Sequence, residues 1–103
     1  MTASSPEEEK NLFIPLKREF FEAFASGEKT HEYRVYGPRW NEKTCRIGRR
    51  VTLSLGYGKH RRLSGIVSSF SKNETPQSRP GWRECYGDDL ALIAAEIGIE
   101  ITR

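Results

Sequence analysis

Lys29, Glu32 and Arg34 are the residues whose types and spacing are best suited to chemistry. On an extended strand, residues 32 and 34 project from the same face, about 7 Å apart. Lys29 lies just before that strand, so its side chain can turn into the same recess. An ammonium, a carboxylate and a guanidinium gathered there can hold a phosphate, a base edge or an amide. An ion pair on the wet face of a sheet is the alternative that spacing alone leaves open.

A helix over residues 17–26 is predicted to precede this cluster. Phe20, Phe21, Ala23 and Phe24 form an apolar stripe of helical period, which predicts that the three phenylalanines belong to the core. Gly27 follows as the natural terminator, because glycine adopts the left-handed conformation at a helix end without steric cost. The helix therefore ends two residues before Lys29.

A strand is predicted over residues 30–36, directly after the helix. Alternation places His31, Tyr33 and Val35 on one face, which we expect to be the packed side. The opposite face carries Glu32 and Arg34, together with Thr30 and Tyr36, and is expected to border a groove or solvent.

The remaining pattern predicts a strand-dominated α+β domain. Further strands are expected over residues 11–16, 50–55, 60–70 and 91–101, with a glycine turn at 56–58 and loops at 37–48 and 73–80. Residues 81–89 remain unassigned, and a helix over residues 88–96 is an alternative to the start of the last strand. A short mixed or antiparallel barrel would leave no exposed sheet edges.

Length and composition indicate one small domain over residues 11–103, preceded by a flexible acidic tail over residues 1–10. No apolar run reaches the roughly 18 residues that span a bilayer, and the polar start differs from a signal peptide, so a cytoplasmic location and no membrane partner are expected. Two cysteines and two histidines give no metal-binding spacing, and no nucleotide-cofactor motif is visible. No cofactor or metal is predicted.

Positive charge is concentrated in the middle of the chain. Residues 29–62 contain ten lysines and arginines against two glutamates, whereas the segments on either side are net acidic. Trp40 and Tyr57 lie among these cations, and Lys59 follows the second aromatic. Aromatic rings among cations suit base stacking combined with phosphate neutralisation. Trp40 as a buried cap of the barrel, and Tyr57 as a turn residue packed on the sheet, are the alternatives.

The order of these motifs resembles the ASCH family. The run from Leu16 to Phe21 leads into SGEKTHEYR, which contains the Gly-x-Lys-Thr-x-Glu-x-Arg signature typical of that family at residues 27–34. Trp40 with the basic residues after it, the Gly48-Arg49 pair and the run from Gly56 to Lys59 are similar to the continuation in small bacterial and phage members. The resemblance covers about residues 12–70.

This resemblance implies a PUA-like β-barrel with the early helix packed at one end. It also implies a cleft formed by the signature residues Lys29, Thr30, Glu32 and Arg34, with Trp40, Tyr57 and Lys59 nearby. The family is associated with RNA binding, RNA cleavage and removal of acyl groups from modified cytidines. RNA or a nucleoside-type small molecule is therefore the expected partner, and a monomer is the expected state.

Whether the chain is an enzyme stays open at this level. The amidohydrolase members use a lysine to activate a threonine three residues later, whereas Glu32 occupies that position after Lys29. Thr30 is adjacent to Lys29, and adjacent side chains of a strand point to opposite faces. A binding module is thus the first hypothesis. A metal-independent hydrolase, either an amidohydrolase or a ribonuclease with Lys29 and Glu32 as catalytic residues, is the second.

Overall fold

A computed structural model describes residues 10–103, so most of the predicted acidic tail, residues 1–9, lies outside the described residues. The described part contains five strands, two α-helices and a short 3-10 turn at Pro76–Ser78. In chain order the elements are β1 (Leu12–Leu16), α1 (Arg18–Ser26), β2 (His31–Val35), β3 (Arg50–Leu55), β4 (Arg62–Asn73), α2 (Trp82–Tyr86) and β5 (Ala94–Ile101).

The five strands form one sheet in the order β1-β3-β4-β5-β2. β1 pairs with β3 in parallel, and every other neighbouring pair is antiparallel. The sheet curls into a half-barrel, with β1 and β2 as its two edges. The prediction of a small strand-dominated domain is confirmed. The sheet does not complete the ring of a barrel, so two edges remain to be covered by side chains and helices.

The core lies between α1 and the inward face of the sheet. Phe21 and Phe24 of α1 are fully buried and pack with Ile14, Leu53 and Ile97 from the strands. Burial of each large apolar side chain stabilises the fold by roughly 1.5–3 kcal/mol. Phe20, the third residue of the stripe, is partly buried and packs against this core, so it belongs to the core less completely than predicted.

The last strand begins at Ala94, and residues 88–93 form turns, so the helical alternative for residues 88–96 is wrong. The predicted strand is confirmed from residue 94 onward. Asp89 holds the turn with its side-chain oxygen, which accepts a hydrogen bond from the backbone of Ala91. β5 then runs between β4 and β2 in the middle of the sheet, which is why residues 94–99 are buried without alternation.

The face of β2 that carries Glu32 and Arg34 borders a cleft as predicted, but the opposite face is not the packed side. Glu32 is the buried residue of the strand, whereas His31, Tyr33 and Val35 are only partly buried. A period-two pattern cannot show that a carboxylate will be buried, because burial of an unpaired charge is costly. Glu32 is buried because two cations accompany it, as the geometry of the cleft shows.

Candidate functional site

A cleft of about 180 Å³, open to solvent, lies beside the edge strand β2. Its lining residues come from β1, α1, β2 and α2, elements that are far apart in the sequence. Four of them are the charged residues Lys17, Lys29, Glu32 and Arg34, and four are the aromatic residues Phe20, Tyr33, Trp82 and Tyr86. The cleft therefore combines a charged cluster with apolar walls.

The carboxylate of Glu32 lies between two cations. Nε of Arg34 donates a hydrogen bond of 2.7 Å to Oε2, and Nζ of Lys29 lies 3.9 Å from Oε1. All three side chains are largely buried: Arg34 is 19% exposed, Lys29 14% and Glu32 8%. The predicted gathering of an ammonium, a carboxylate and a guanidinium in one recess is what the structure contains.

Arg34 also joins the two edges of the half-barrel. Its Nη2 donates a hydrogen bond of 2.7 Å to the backbone carbonyl of Pro15 in β1. Below it, the ring of Trp40 lies 5.0 Å from the guanidinium carbon, a distance that gives a cation–π contact. Trp40 is itself buried, so the alternative in which it is a core residue holds, and it supports Arg34 rather than facing a ligand.

Lys29 is surrounded by aromatic rings. Its Nζ lies 4.4 Å from the ring centre of Tyr33, 5.3 Å from that of Phe20 and 5.7 Å from that of Phe24. The carboxylate of Glu32 is beyond hydrogen-bonding distance, and Nζ donates a hydrogen bond to none of residues 10–103. Its N–H groups therefore remain available to an acceptor that enters the cleft.

Burial and neighbouring charges shift the pKa values of Glu32 and Lys29 in opposite directions. Burial raises the pKa of Glu32, although the charges of Arg34 and Lys29 oppose the change. Burial lowers the pKa of Lys29, although the Glu32 carboxylate beside it opposes that change. With all three groups ionised the cluster carries one net positive charge, which favours an anionic or acceptor-rich ligand.

The second wall of the cleft is the short helix α2. Trp82 is almost fully buried, and its ring centre lies 4.4 Å from that of Tyr86, one helical turn later. Gly81 precedes the helix with φ of 82°, and a Cβ at this position would lie 2.8 Å from the ring of Phe20. Glycine is thus required both by the backbone conformation and by the close approach to α1.

An ion pair between a partly exposed guanidinium and a buried carboxylate ties the chain before α2 to the sheet. Nε and Nη2 of Arg79 donate hydrogen bonds of 2.7 and 3.1 Å to the carboxylate of Glu96 in β5. Asn73 donates a third, of 2.8 Å. Burial would raise the pKa of Glu96, but the hydrogen bonds from Arg79 and Asn73 outweigh it and hold the pKa below its usual range.

The structure separates the remaining predicted site residues from the cleft. Thr30 lies outside its lining, and its hydroxyl is 2.9 Å from Nδ1 of His31. Tyr57 and Lys59 also lie outside the lining, in the turn between β3 and β4. Of the seven predicted residues, the cleft contains three.

Sequence reasoning missed most of the aromatic wall. Tyr33 was assigned to the packed face, and Trp82, Cys85 and Tyr86 fell in the segment left unassigned. One signal was present: Trp82 and Tyr86 are four residues apart, the spacing of neighbours on a helix face. Nothing in the sequence indicated that this helix would face β2.

Comparison with protein-family models and with curated proteins found no match to this sequence. In the part of the chain that the structure describes, no group of three or more metal-binding side chains is present. Neither described helix is long and apolar enough to cross a bilayer.

Proposed function

We propose that this chain is an ASCH-type domain of the PUA-like fold, and that it binds a nucleobase of RNA or a free nucleotide in the cleft. The signature at residues 27–34 supports the assignment to that family, and the curled, strand-dominated sheet is compatible with it. The support for a ligand comes from the chemistry of the cleft, taken residue by residue.

The charged cluster favours a ligand with several acceptor atoms. Lys29 makes no hydrogen bond to residues 10–103, and in the same range Nη1 of Arg34 has no acceptor. Glu32 already faces a cation with each of its oxygens, so it holds the cations in place. The available groups are thus donors, which suit a phosphate oxygen, a carbonyl oxygen or a ring nitrogen.

The aromatic walls favour a flat ligand. Phe20, Tyr33 and the Trp82–Tyr86 pair surround the charged cluster, and base stacking on such rings tolerates any base. Burial raises the pKa of both tyrosines, so their hydroxyls remain protonated donors at neutral pH.

One observation carries this proposal: a largely buried ammonium, with no hydrogen-bond acceptor among residues 10–103, lies among aromatic rings in a cleft with net positive charge. The test is a titration with cytidine monophosphate. Lys29→Met should weaken binding roughly ten- to a hundredfold, the usual loss for a charge-assisted hydrogen bond. Lys43→Met is the matched control, because Lys43 is exposed and lies outside the cleft. Equal affinity of wild type and Lys29→Met would refute the proposal.

Cys85 provides a second, independent measurement. It is exposed and lines the cleft, whereas Cys45 is fully buried and serves as an internal reference. Bound nucleotide should slow the alkylation of Cys85 by iodoacetamide and leave Cys45 unmodified throughout. Unchanged alkylation at saturating nucleotide would show that any binding takes place elsewhere.

A hydrolase remains the second candidate, and the lowered pKa of Lys29 favours it, because a neutral amine can act as a base. Against it, Glu32 replaces the expected threonine, and the Thr30 hydroxyl lies outside the cleft. Among the described residues lining the cleft, none is a serine or threonine. Release of acetate from N4-acetylcytidine that is lost in Lys29→Met would establish this activity.

A further inference from the structure

Tyr57 is an exposed aromatic residue that lies outside the cleft. Tyr57 is 80% exposed at the turn between β3 and β4, and its ring centre lies 6.2 Å from that of Phe13. The guanidinium of Arg62 lies 5.3 Å from the centre of the same Phe13 ring, and Lys59 is exposed beside them. These four residues, the Tyr57 patch, form an aromatic surface among cations on the outward face of the sheet, with the two rings tilted by 35°.

The patch is close to the cleft along β1. Phe13 and Pro15 face outward on alternate positions of this strand, about 7 Å apart. Pro15 lines the cleft, as do Leu16 and Lys17 immediately after it. A nucleic-acid strand that leaves the cleft over Pro15 therefore reaches Phe13 about 7 Å further along β1. Tyr57 packs against Phe13, so it lies on the same path.

The cations of the patch, and Arg61 next to them in the sequence, differ in their availability. Arg61 is engaged by Glu22, with a shortest distance of 2.6 Å, and Arg62 donates to the carbonyl of Gly58. Lys59 has no hydrogen bond or ion pair with any of residues 10–103, so its charge is available to a phosphate. Exposed rings and an available ammonium match the alternation of bases and phosphates in a single strand.

We infer that the Tyr57 patch binds the nucleotides that flank the one in the cleft, so that the natural ligand is a single-stranded RNA rather than a free nucleotide. The inference rests on the proposed function for the occupant of the cleft. The patch adds a stacking surface for a neighbouring base and a phosphate contact at Lys59. Charge complementarity decides for nucleic acid over an apolar protein partner, because the segment from residue 29 to 62 is strongly basic.

The experiment compares hexacytidylate with cytidine monophosphate by fluorescence titration at low salt. Tyr57→Ala should weaken hexacytidylate binding roughly 5- to 150-fold, the range for loss of one stacked base, and leave cytidine monophosphate unaffected. Leu90→Ala is the matched control, because Leu90 is 79% exposed and lies in a different turn. Lys59→Gln should lower the salt dependence of hexacytidylate binding by about 0.7 in log–log slope, and Arg61→Gln by less.

The outcomes separate the two proposals. If wild type binds both ligands and Tyr57→Ala binds hexacytidylate as tightly as wild type does, the inference fails and the cleft proposal stands. Such a result would indicate that the Tyr57 patch binds a protein partner instead of RNA. If hexacytidylate binds through Tyr57 but the mononucleotide does not bind, the cleft proposal fails and the patch stands. Binding of neither ligand overturns both.

Discussion

Glu32 shows how much chemistry one side chain can organise. Each of its oxygens faces a cation, so the carboxylate fixes the positions of Lys29 and Arg34 while its own charge is compensated. The spacing of these residues was enough to predict that they meet in one recess. Their burial was not predictable from spacing, because it depends on Trp40 and Pro15, which come from other parts of the chain.

The first prediction concerns pH at Lys29. Because burial lowers the pKa of this amine, the charged form that binds an anion is lost at a lower pH than for an ordinary lysine. Affinity for cytidine monophosphate should therefore be highest while Lys29 is protonated, and should fall as the pH rises through its lowered pKa. Titrations across the alkaline range measure this directly.

Lys29→Arg provides the control, because a guanidinium stays charged throughout that pH range. Its affinity is expected to be lower at every pH, since the guanidinium fork is larger than an ammonium, but the alkaline decline attributable to residue 29 should vanish. A decline of the same size in Lys29→Arg would assign the titration to another group, such as Tyr33.

At the scale of elements, α2 is the part of the site that the sequence left unassigned. The helix has only five residues and is enclosed by Gly81 and Gly87, so its intrinsic tendency to fold is small. Its position is set by tertiary contacts, above all the burial of Trp82 and the attachment of Arg79 to Glu96. Contacts of this kind leave no periodic pattern in the sequence.

The second prediction follows from that attachment. Arg79→Met should lower the free energy of unfolding, because it removes two hydrogen bonds to the buried carboxylate of Glu96. It should also speed the alkylation of Cys85, since the wall of the cleft loses its anchor. Denaturant unfolding and thiol kinetics measure the two effects, and Arg83→Met, which breaks only the exposed pair with Asp88, is the control.

The pH dependence of this effect has a definite sign. The pKa of Glu96 is lowered in the folded state, so the ionised carboxylate stabilises the fold above the usual range of a glutamate. That contribution is lost as the pH falls through the lowered value. The stability difference between wild type and Arg79→Met should accordingly be present at neutral pH and shrink in acid. A difference that grows in acid would exclude this account.

At the scale of the whole molecule, the half-barrel leaves β1 and β2 as separate edges. The number of strands and most of their ranges in the sequence could be predicted from period-two patterns. The openness of the sheet could not, because closure depends on how far the strands curl. Arg34 spans the gap with its hydrogen bonds to Glu32 on one side and to Pro15 on the other.

The third prediction is that Arg34 is essential to stability as well as to binding. Arg34→Met should lower the free energy of unfolding by about 3–5 kcal/mol, because Glu32 loses its closest cation while it stays buried. Denaturant unfolding measures this change. The double variant Arg34→Met with Glu32→Met should recover part of this loss, since no buried carboxylate then remains. A double variant that is less stable than the single one would contradict this explanation.

The parallel pairing of β1 with β3 also has a consequence for how the chain acquires its fold. Leu12 pairs with Val51, whereas β3 and β4 are joined by a short turn and can form as a hairpin. During synthesis the first strand thus leaves the ribosome early but has no partner until residue 51 and its neighbours have followed. Docking of this strand is expected to be a late event in folding, and the cleft beside it is completed only then.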